Sequence, residues 1–150
     1  MTQDPAVLGY LGRALSLELS AVQQYLSLTK LFELRGMPQA AEQFRHEAQE
    51  EMKHAELIIG RMLALGVAPN ASHLRPVHLD GTLSQLMEYV SQMEAQIIDF
   101  YTRAVHDCSR LQDHESRFFF EKLLHEEQQH ATGLKHWRHE IENGQPADSK

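Results

Sequence analysis

The stretch HEAQEEMKHAE at residues 46–56 and the stretch KLLHEEQQH at residues 122–130 decide the reading of this chain. Each carries a glutamate followed three residues later by a histidine: Glu51 with His54, and Glu127 with His130. Thirty-three residues before each pair stands a further glutamate, Glu18 in the first half and Glu94 in the second. One half therefore maps onto the other by a shift of 76 residues. Residues three apart share a helix face, so each Glu-x-x-His projects one carboxylate and one imidazole together. A lone Glu and a Glu-x-x-His, given twice, is the donor set of a di-iron or di-manganese carboxylate site inside a four-helix bundle. Four carboxylates and two imidazoles suit transition-metal ions.

Working outward, apolar residues recur at three and four along most of the chain, the helical period. The first helix is expected from the cap Asp4 and Pro5 through Leu8, Leu11, Leu15, Leu19, Val22 and Leu26 to about Leu34. Arg35-Gly36-Met37-Pro38 ends it and opens a second helix, which runs to about Leu65-Gly66. The third is expected over Thr82 to Arg110 and the fourth over Asp113 to Asn143. The bundle is thus placed at about residues 4–143 of a single domain, with a frayed tail at about 144–150.

Connection lengths set the expected topology. The first and third loops are short, so they join antiparallel neighbours. Between helices two and three lies a polar stretch of 15 residues from Val67 to Gly81, which reaches roughly 50 Å when extended. A helix of about 28 residues is about 42 Å long. The linker can therefore cross the whole bundle and set the third helix parallel to the second.

Composition excludes several classes. A formal charge of −7 argues against nucleic acid and against an anionic membrane surface. No apolar run approaches the roughly 20 residues that span a bilayer. The opening residues lack a basic stretch before an apolar core, so no secretory signal is read there. A single cysteine, Cys108, fits a reducing, cytoplasmic compartment and reads as a small buried apolar residue.

The energetics favour metal. Four ionised carboxylates drawn into a bundle core repel and lose hydration at several kcal/mol each. Two divalent cations cancel the four charges. Without them some of the carboxyls must hold protons, and the middle of the bundle becomes its weakest part. Other residues carry less. Tyr25 lies two turns beyond Glu18 and is either a one-electron donor at the site's edge or a core tyrosine with a satisfied hydroxyl. His46 and Glu50 lie one face round from Glu51, as a weaker iron site or a solvated face. The Phe118-Phe119-Phe120 run cannot be buried by one helix stripe and suggests a subunit contact. Trp137 reads as core or interface packing.

Over about residues 5–142 the chain resembles the bacterioferritins. LELSAVQQY around Glu18 and Tyr25, HEAQEEMKHAE around Glu51 and His54, Glu94, and HEEQQH around Glu127 and His130 carry the resemblance. It implies an all-α, ferritin-like fold with a long crossover. It implies ferroxidase activity at two iron ions per subunit, with O₂ or H₂O₂ oxidising Fe(II), and iron storage as mineral in a shell of 24 subunits. Glu18 and Glu94 are then terminal ligands and Glu51 and Glu127 bridging ones. Met52, next to the bridging glutamate, matches the axial haem ligand of the family, where two such methionines hold haem b across a two-fold dimer. His46 and Glu50 fall where some members have an inner-surface iron site, and a small ferredoxin is the implied electron donor. Bacterioferritins usually add a short fifth helix, but no apolar periodicity follows Ile141. An open-pored shell, a smaller oligomer or a dimer therefore stand beside the closed shell. The alternative function is a di-iron redox enzyme, peroxide-reducing or substrate-oxidising, in a small oligomer without mineral. A rubrerythrin is disfavoured, because its four-cysteine iron site has no counterpart beside Cys108. The third alternative is a haem-carrying dimer with a vestigial metal site.

Overall fold

Four long helices account for nearly all of the chain in the computed structural model, which describes residues 4–71 and 73–144. They are α1 (Pro5–Leu34), α2 (Pro38–Ala64), α3 (Leu83–Arg110) and α4 (His114–Glu142). These bounds agree with the periodicity to within a residue or two. The expected tail falls outside the described residues except for Gly144.

Local chemistry fixes the ends. The Asp4 carboxylate accepts from the Ala6 amide at 2.8 Å, with Pro5 pre-set for the first turn. Gly36, at a φ of 73°, closes α1, and the Met37 amide returns to the Phe32 carbonyl at 2.9 Å. Thr82 and Gln85 form a reciprocal capping box that starts α3. The turn into α4 puts Gln112, not glycine, at a φ of 61°.

α1 and α2 form one close antiparallel pair and α3 and α4 the other. The linker runs the way the long crossover requires. The Arg75 amide donates to Ser20 Oγ, the His78 backbone makes two hydrogen bonds with the Gln24 side chain, and Arg35 reaches the Gly81 carbonyl. Its residue numbers rise together with those of α1, so the linker travels along α1 and delivers α3 at the far end. α3 then runs antiparallel to α1 and parallel to α2, the ferritin-like arrangement. Stacking of His78 on Tyr89, with centroids 4.5 Å apart, ties the linker to α3.

The core is split into two apolar halves by a polar middle. Tyr25, Leu28, Phe32 and Phe44 fill one half; Leu11, Leu15, Ile58, Tyr101 and Phe120 fill the other. Between them, on all four helices, the inward position is a fully buried glutamate: Glu18, Glu51, Glu94 and Glu127. The phenylalanine run divides as helical geometry demands, with Phe120 buried, Phe119 packed against the core and Phe118 63% exposed beneath the Arg117 guanidinium. No helix among the described residues is long and apolar enough to cross a membrane.

Candidate metal centre

The six residues singled out by the repeat meet at the bundle's midpoint. Glu18, Glu51, His54 and Glu127 each offer a ligand atom within 4.8 Å of one another, and so do Glu51, Glu94, Glu127 and His130. Glu51 and Glu127 belong to both groups. Glu18 with His54, and Glu94 with His130, belong to one each. The arrangement has two positions, each with one imidazole and one private carboxylate, joined by two shared carboxylates.

The arms cross between the halves. His54 Nδ1 lies 2.9 Å from Glu127 Oε1, and His130 Nδ1 lies 2.9 Å from Glu51 Oε1. The two rings stack with centroids 5.3 Å apart and 13° between their planes. His54 is held at both nitrogens, because its Nε2 meets Glu126 Oε1 at 3.0 Å. A carboxylate behind a ligating histidine fixes the ring's tautomer and aim, leaving Nδ1 for a metal. His130 has its Nδ1 partner and a 14% exposed side chain.

The donor set fits two cations. Glu18 Oε1, Glu51 Oε2, Glu94 Oε2 and Glu127 Oε2 are all buried without a hydrogen-bond partner. One unpaired oxygen on each of four adjacent carboxylates is what unfilled coordination leaves, since buried polar atoms are otherwise nearly always satisfied. The electrostatics record the same crowding. Burial and the neighbouring Glu18, Glu94 and Glu127 push the Glu51 carboxyl well above its usual range. Burial with Glu127 raises Glu94 likewise, and burial with Glu127 raises Glu18. Burial also disfavours charge on Glu127, but the proximity of Glu94, His130 and His54, the last of these hydrogen-bonded to it, outweighs burial and holds that carboxyl well below the usual range. Burial works against charge on His54 too, yet Glu127 and Glu18 prevail and lift it to about 10.

Tyr25 reaches the site: its hydroxyl donates to Glu94 Oε1 at 2.7 Å. Burial and the carboxylates Glu94, Glu47 and Glu51 hold its phenol well above 10. Met52, about 100° round α2 from Glu51, is 40% exposed. His46 and Glu50 approach each other at 3.7 Å, with Lys53 3.5 Å from the same Glu50 oxygen, and join neither ligand group. Trp137 packs edge-on against Phe44 at 5.2 Å.

Three residues at the centre escaped the sequence reading. Tyr101 donates its hydroxyl to Glu18 Oε2 at 2.6 Å; the signal was present, because Tyr101 is Tyr25 shifted by the same 76 residues. Glu47, one turn before Glu51 on the same face, is buried to 5% exposure with an unpartnered Oε2, and burial raises its carboxyl. Its repeat partner is Leu123, so no duplicated spacing marks it. Glu126 stands beside Glu127 in a run of polar residues, and only the fold reveals that it faces His54.

Comparison with known proteins agrees with this geometry. The family described as the ferritin-like domain matches residues 8–143. A bacterioferritin of Mycolicibacterium paratuberculosis is 33% identical over 135 residues, covering 90% of this chain and 85% of that protein. A bacterial ferritin of Synechocystis sp. is 32% identical over 136 residues, covering 90% and 87%. A bacterioferritin structure from Rhodobacter capsulatus, with a metal-free dinuclear site and haem iron in a crystallographic special position, superposes with a TM-score of 0.90 at 31% identity, covering 95% of this chain and 89% of that one. With a buried Glu/His cluster built for two metals at the centre of the matched helices, this chain belongs to the ferritin-like family and, within it, to the bacterioferritins.

Proposed function

We propose that this protein is a cytoplasmic ferroxidase that stores iron, taking Fe(II) as substrate at the six residues Glu18, Glu51, His54, Glu94, Glu127 and His130. The observation that carries the reading is the pair of four-residue groups sharing Glu51 and Glu127. Glu18 and His54 hold one iron, Glu94 and His130 the other, and the shared carboxylates bridge. Two Fe(II) ions each give up one electron to dioxygen; those two electrons with two protons suffice for hydrogen peroxide, and any further reduction needs electrons from elsewhere in the protein. The protein binds the ions side by side, so the two electrons leave together. Five of the six side chains have no exposed surface, and His130 is 14% exposed. The hydrogen bond from Tyr25 to Glu94 supports a role for Tyr25 as a one-electron donor at the site's edge.

Relatedness to the bacterioferritins supports storage, with subunits assembling into dimers and the dimers into a shell. Met52 supports a haem site between two copies, because a 40% exposed thioether on α2 is free to meet a second one. Haem there would accept electrons from a small ferredoxin for iron release. Substitution of Met52 by Leu will abolish the bis-thioether haem spectrum and leave Fe(II) oxidation unchanged; haem retained in that variant would remove Met52 from the role. His46 and Glu50 are candidates for an inner iron position.

The test is an aerobic Fe(II) titration of metal-free protein, counting iron retained per chain after desalting. Retention of tens of irons with the protein in solution supports storage. Saturation at about two, the capacity of one di-metal site, would leave a di-iron redox enzyme in a small oligomer.

A further inference from the structure

The sequence repeat extends beyond the ligands. Tyr25 and Tyr101 are 76 residues apart, as are Glu18 and Glu94, and the structure cross-connects them. Tyr25 on α1 donates to Glu94 on α3 at 2.7 Å, and Tyr101 on α3 donates to Glu18 on α1 at 2.6 Å. Both tyrosines are fully buried. Each packs on a phenylalanine that obeys the same shift: Tyr25 on Phe44 with centroids 6.2 Å apart, Tyr101 on Phe120 at 6.0 Å. Beyond Phe44 stands Trp137, and beyond Phe120 stands Tyr10, whose hydroxyl donates to Asp107.

A tyrosine needed only for packing would be phenylalanine, because a buried hydroxyl must be hydrogen-bonded to avoid a cost. Here each hydroxyl is bonded to the private carboxylate of one metal position. Oxidation of a phenol removes an electron and a proton together in such a setting, and the carboxylate oxygen is already placed to take the proton. No charged radical then has to be held in the low-dielectric core.

We propose that Tyr101 is a second redox-active tyrosine of this centre, matched to Tyr25, so that one dioxygen receives four electrons within a single subunit. The proposal rests on the Fe(II)-oxidising reading above. Two electrons come from two Fe(II) ions and one from each phenol. The O–O bond breaks, and the two phenolic protons, passed through Glu18 and Glu94, join two from solvent to give two waters. Two Fe(III) ions and two neutral phenoxyl radicals remain. With both tyrosines absent, only the iron electrons are available and the product stops at hydrogen peroxide.

The test is rapid-freeze electron paramagnetic resonance of chains loaded anaerobically with two Fe(II) each and mixed with O₂, together with a peroxide assay. Binding of two Co(II) per chain serves as the check that each variant keeps its site. The wild type is expected to give more than one tyrosyl spin per chain and no free peroxide. Tyr25→Phe retains a tyrosyl signal, now from Tyr101, and the Tyr25→Phe/Tyr101→Phe double variant loses it and releases one peroxide per two Fe(II). Loss of all tyrosyl signal in Tyr25→Phe with two Co(II) still bound would show that Tyr101 only holds Glu18 in place. A signal persisting in the double variant would assign the radicals to other tyrosines and equally overturn the proposal. Failure of wild-type protein to oxidise Fe(II) at all would instead overturn the functional reading beneath it.

Discussion

Stripping the metal will make the stability of this bundle fall as pH rises from 7 to 9. The reason lies in how the six ligands hold protons once a chelator has removed their cations. Burial opposes charge on His54, but Glu127 and Glu18 raise its pKa to about 10 in the fold, against about 6.5 for an unfolded histidine. A basic group raised in this way contributes stability fully present below its unfolded value and lost as pH climbs through its folded one. His130 is raised by the same kind of contacts, with Glu127 first among them, so it acts with the same sign. Glu18, Glu51 and Glu94 are raised carboxyls, and the protonated stability they carry also drains away upward from about 4.5. Glu127 is lowered, so its contribution disappears only as pH falls, outside this window. Burial pushes the Cys108 thiol to about 11, so it adds to the trend only where an unfolded thiol would ionise, near pH 9 and above. Each extra proton on the native state gives a slope of about 1.4 kcal/mol per pH unit. For a chain of this length, 1 kcal/mol moves Tm by about 2–4 °C. One proton's worth of linkage is therefore about 3–6 °C per pH unit. Calorimetric melts at pH 7, 8 and 9 will show that decline in chelator-treated protein and a flat response once Zn(II) replaces the protons. A metal-free Tm that is level or rising across this window, or an equal slope in the Zn(II) form, would refute the reasoning.

Glu51→Gln removes one of four crowded carboxylates while keeping its shape, and will stabilise the metal-free chain by roughly 1–3 kcal/mol in chemical denaturation. The same variant will bind fewer than two Co(II) per chain by visible absorption; a destabilised apo form would contradict the crowding. Glu126→Ala leaves His54 Nε2 without its acceptor and will weaken metal binding about 10–100-fold in chelator competition. Unchanged affinity would mean that this carboxylate does not aim the ring. Gln24→Ala strips the linker of both hydrogen bonds at His78 and will cost about 1–3 kcal/mol, with the His78 amide exchanging faster while the metal-binding stoichiometry stays at two.

The fold was open to a sequence reading because its determinants are local or arithmetical. Asp4-Pro5 and Gly36 mark helix ends through contacts within a few residues, and the linker is long enough to cross the bundle. The six inward ligands were legible because a repeated interval is improbable on solvated faces. Tyr101 obeys the same interval but sits among apolar residues at a core spacing, where a tyrosine looks like packing. Its hydroxyl's partner, Glu18, is 83 residues away. Glu126 was invisible for a different reason. The repeat pairs it with Glu50, and equal positions suggest equal roles. Yet Glu126 meets His54, whereas Glu50 is engaged by Lys53 and His46 on its own helix. Three residues beyond Glu126 stands Gln129 where the first half has Lys53, so the two carboxylates have different competitors.

Those departures make the two metal positions chemically unequal despite matching ligands. The His54 position is closed: its ring is fully buried, bonded at both nitrogens, and backed by Glu126. The His130 position is looser: its ring is partly exposed and held through Nδ1. It also faces an additional buried carboxylate, Glu47, where the other half of the repeat has Leu123. A duplicated helical hairpin with identical first neighbours would bind and release both ions alike. Divergence in the residues behind the ligands leaves one fully buried position and one partly exposed position that has a further buried carboxyl nearby. On the function proposed above, a centre that holds metal for redox chemistry and passes it onward would use that difference, and it is built outside the six residues that the repeat conserves between its halves.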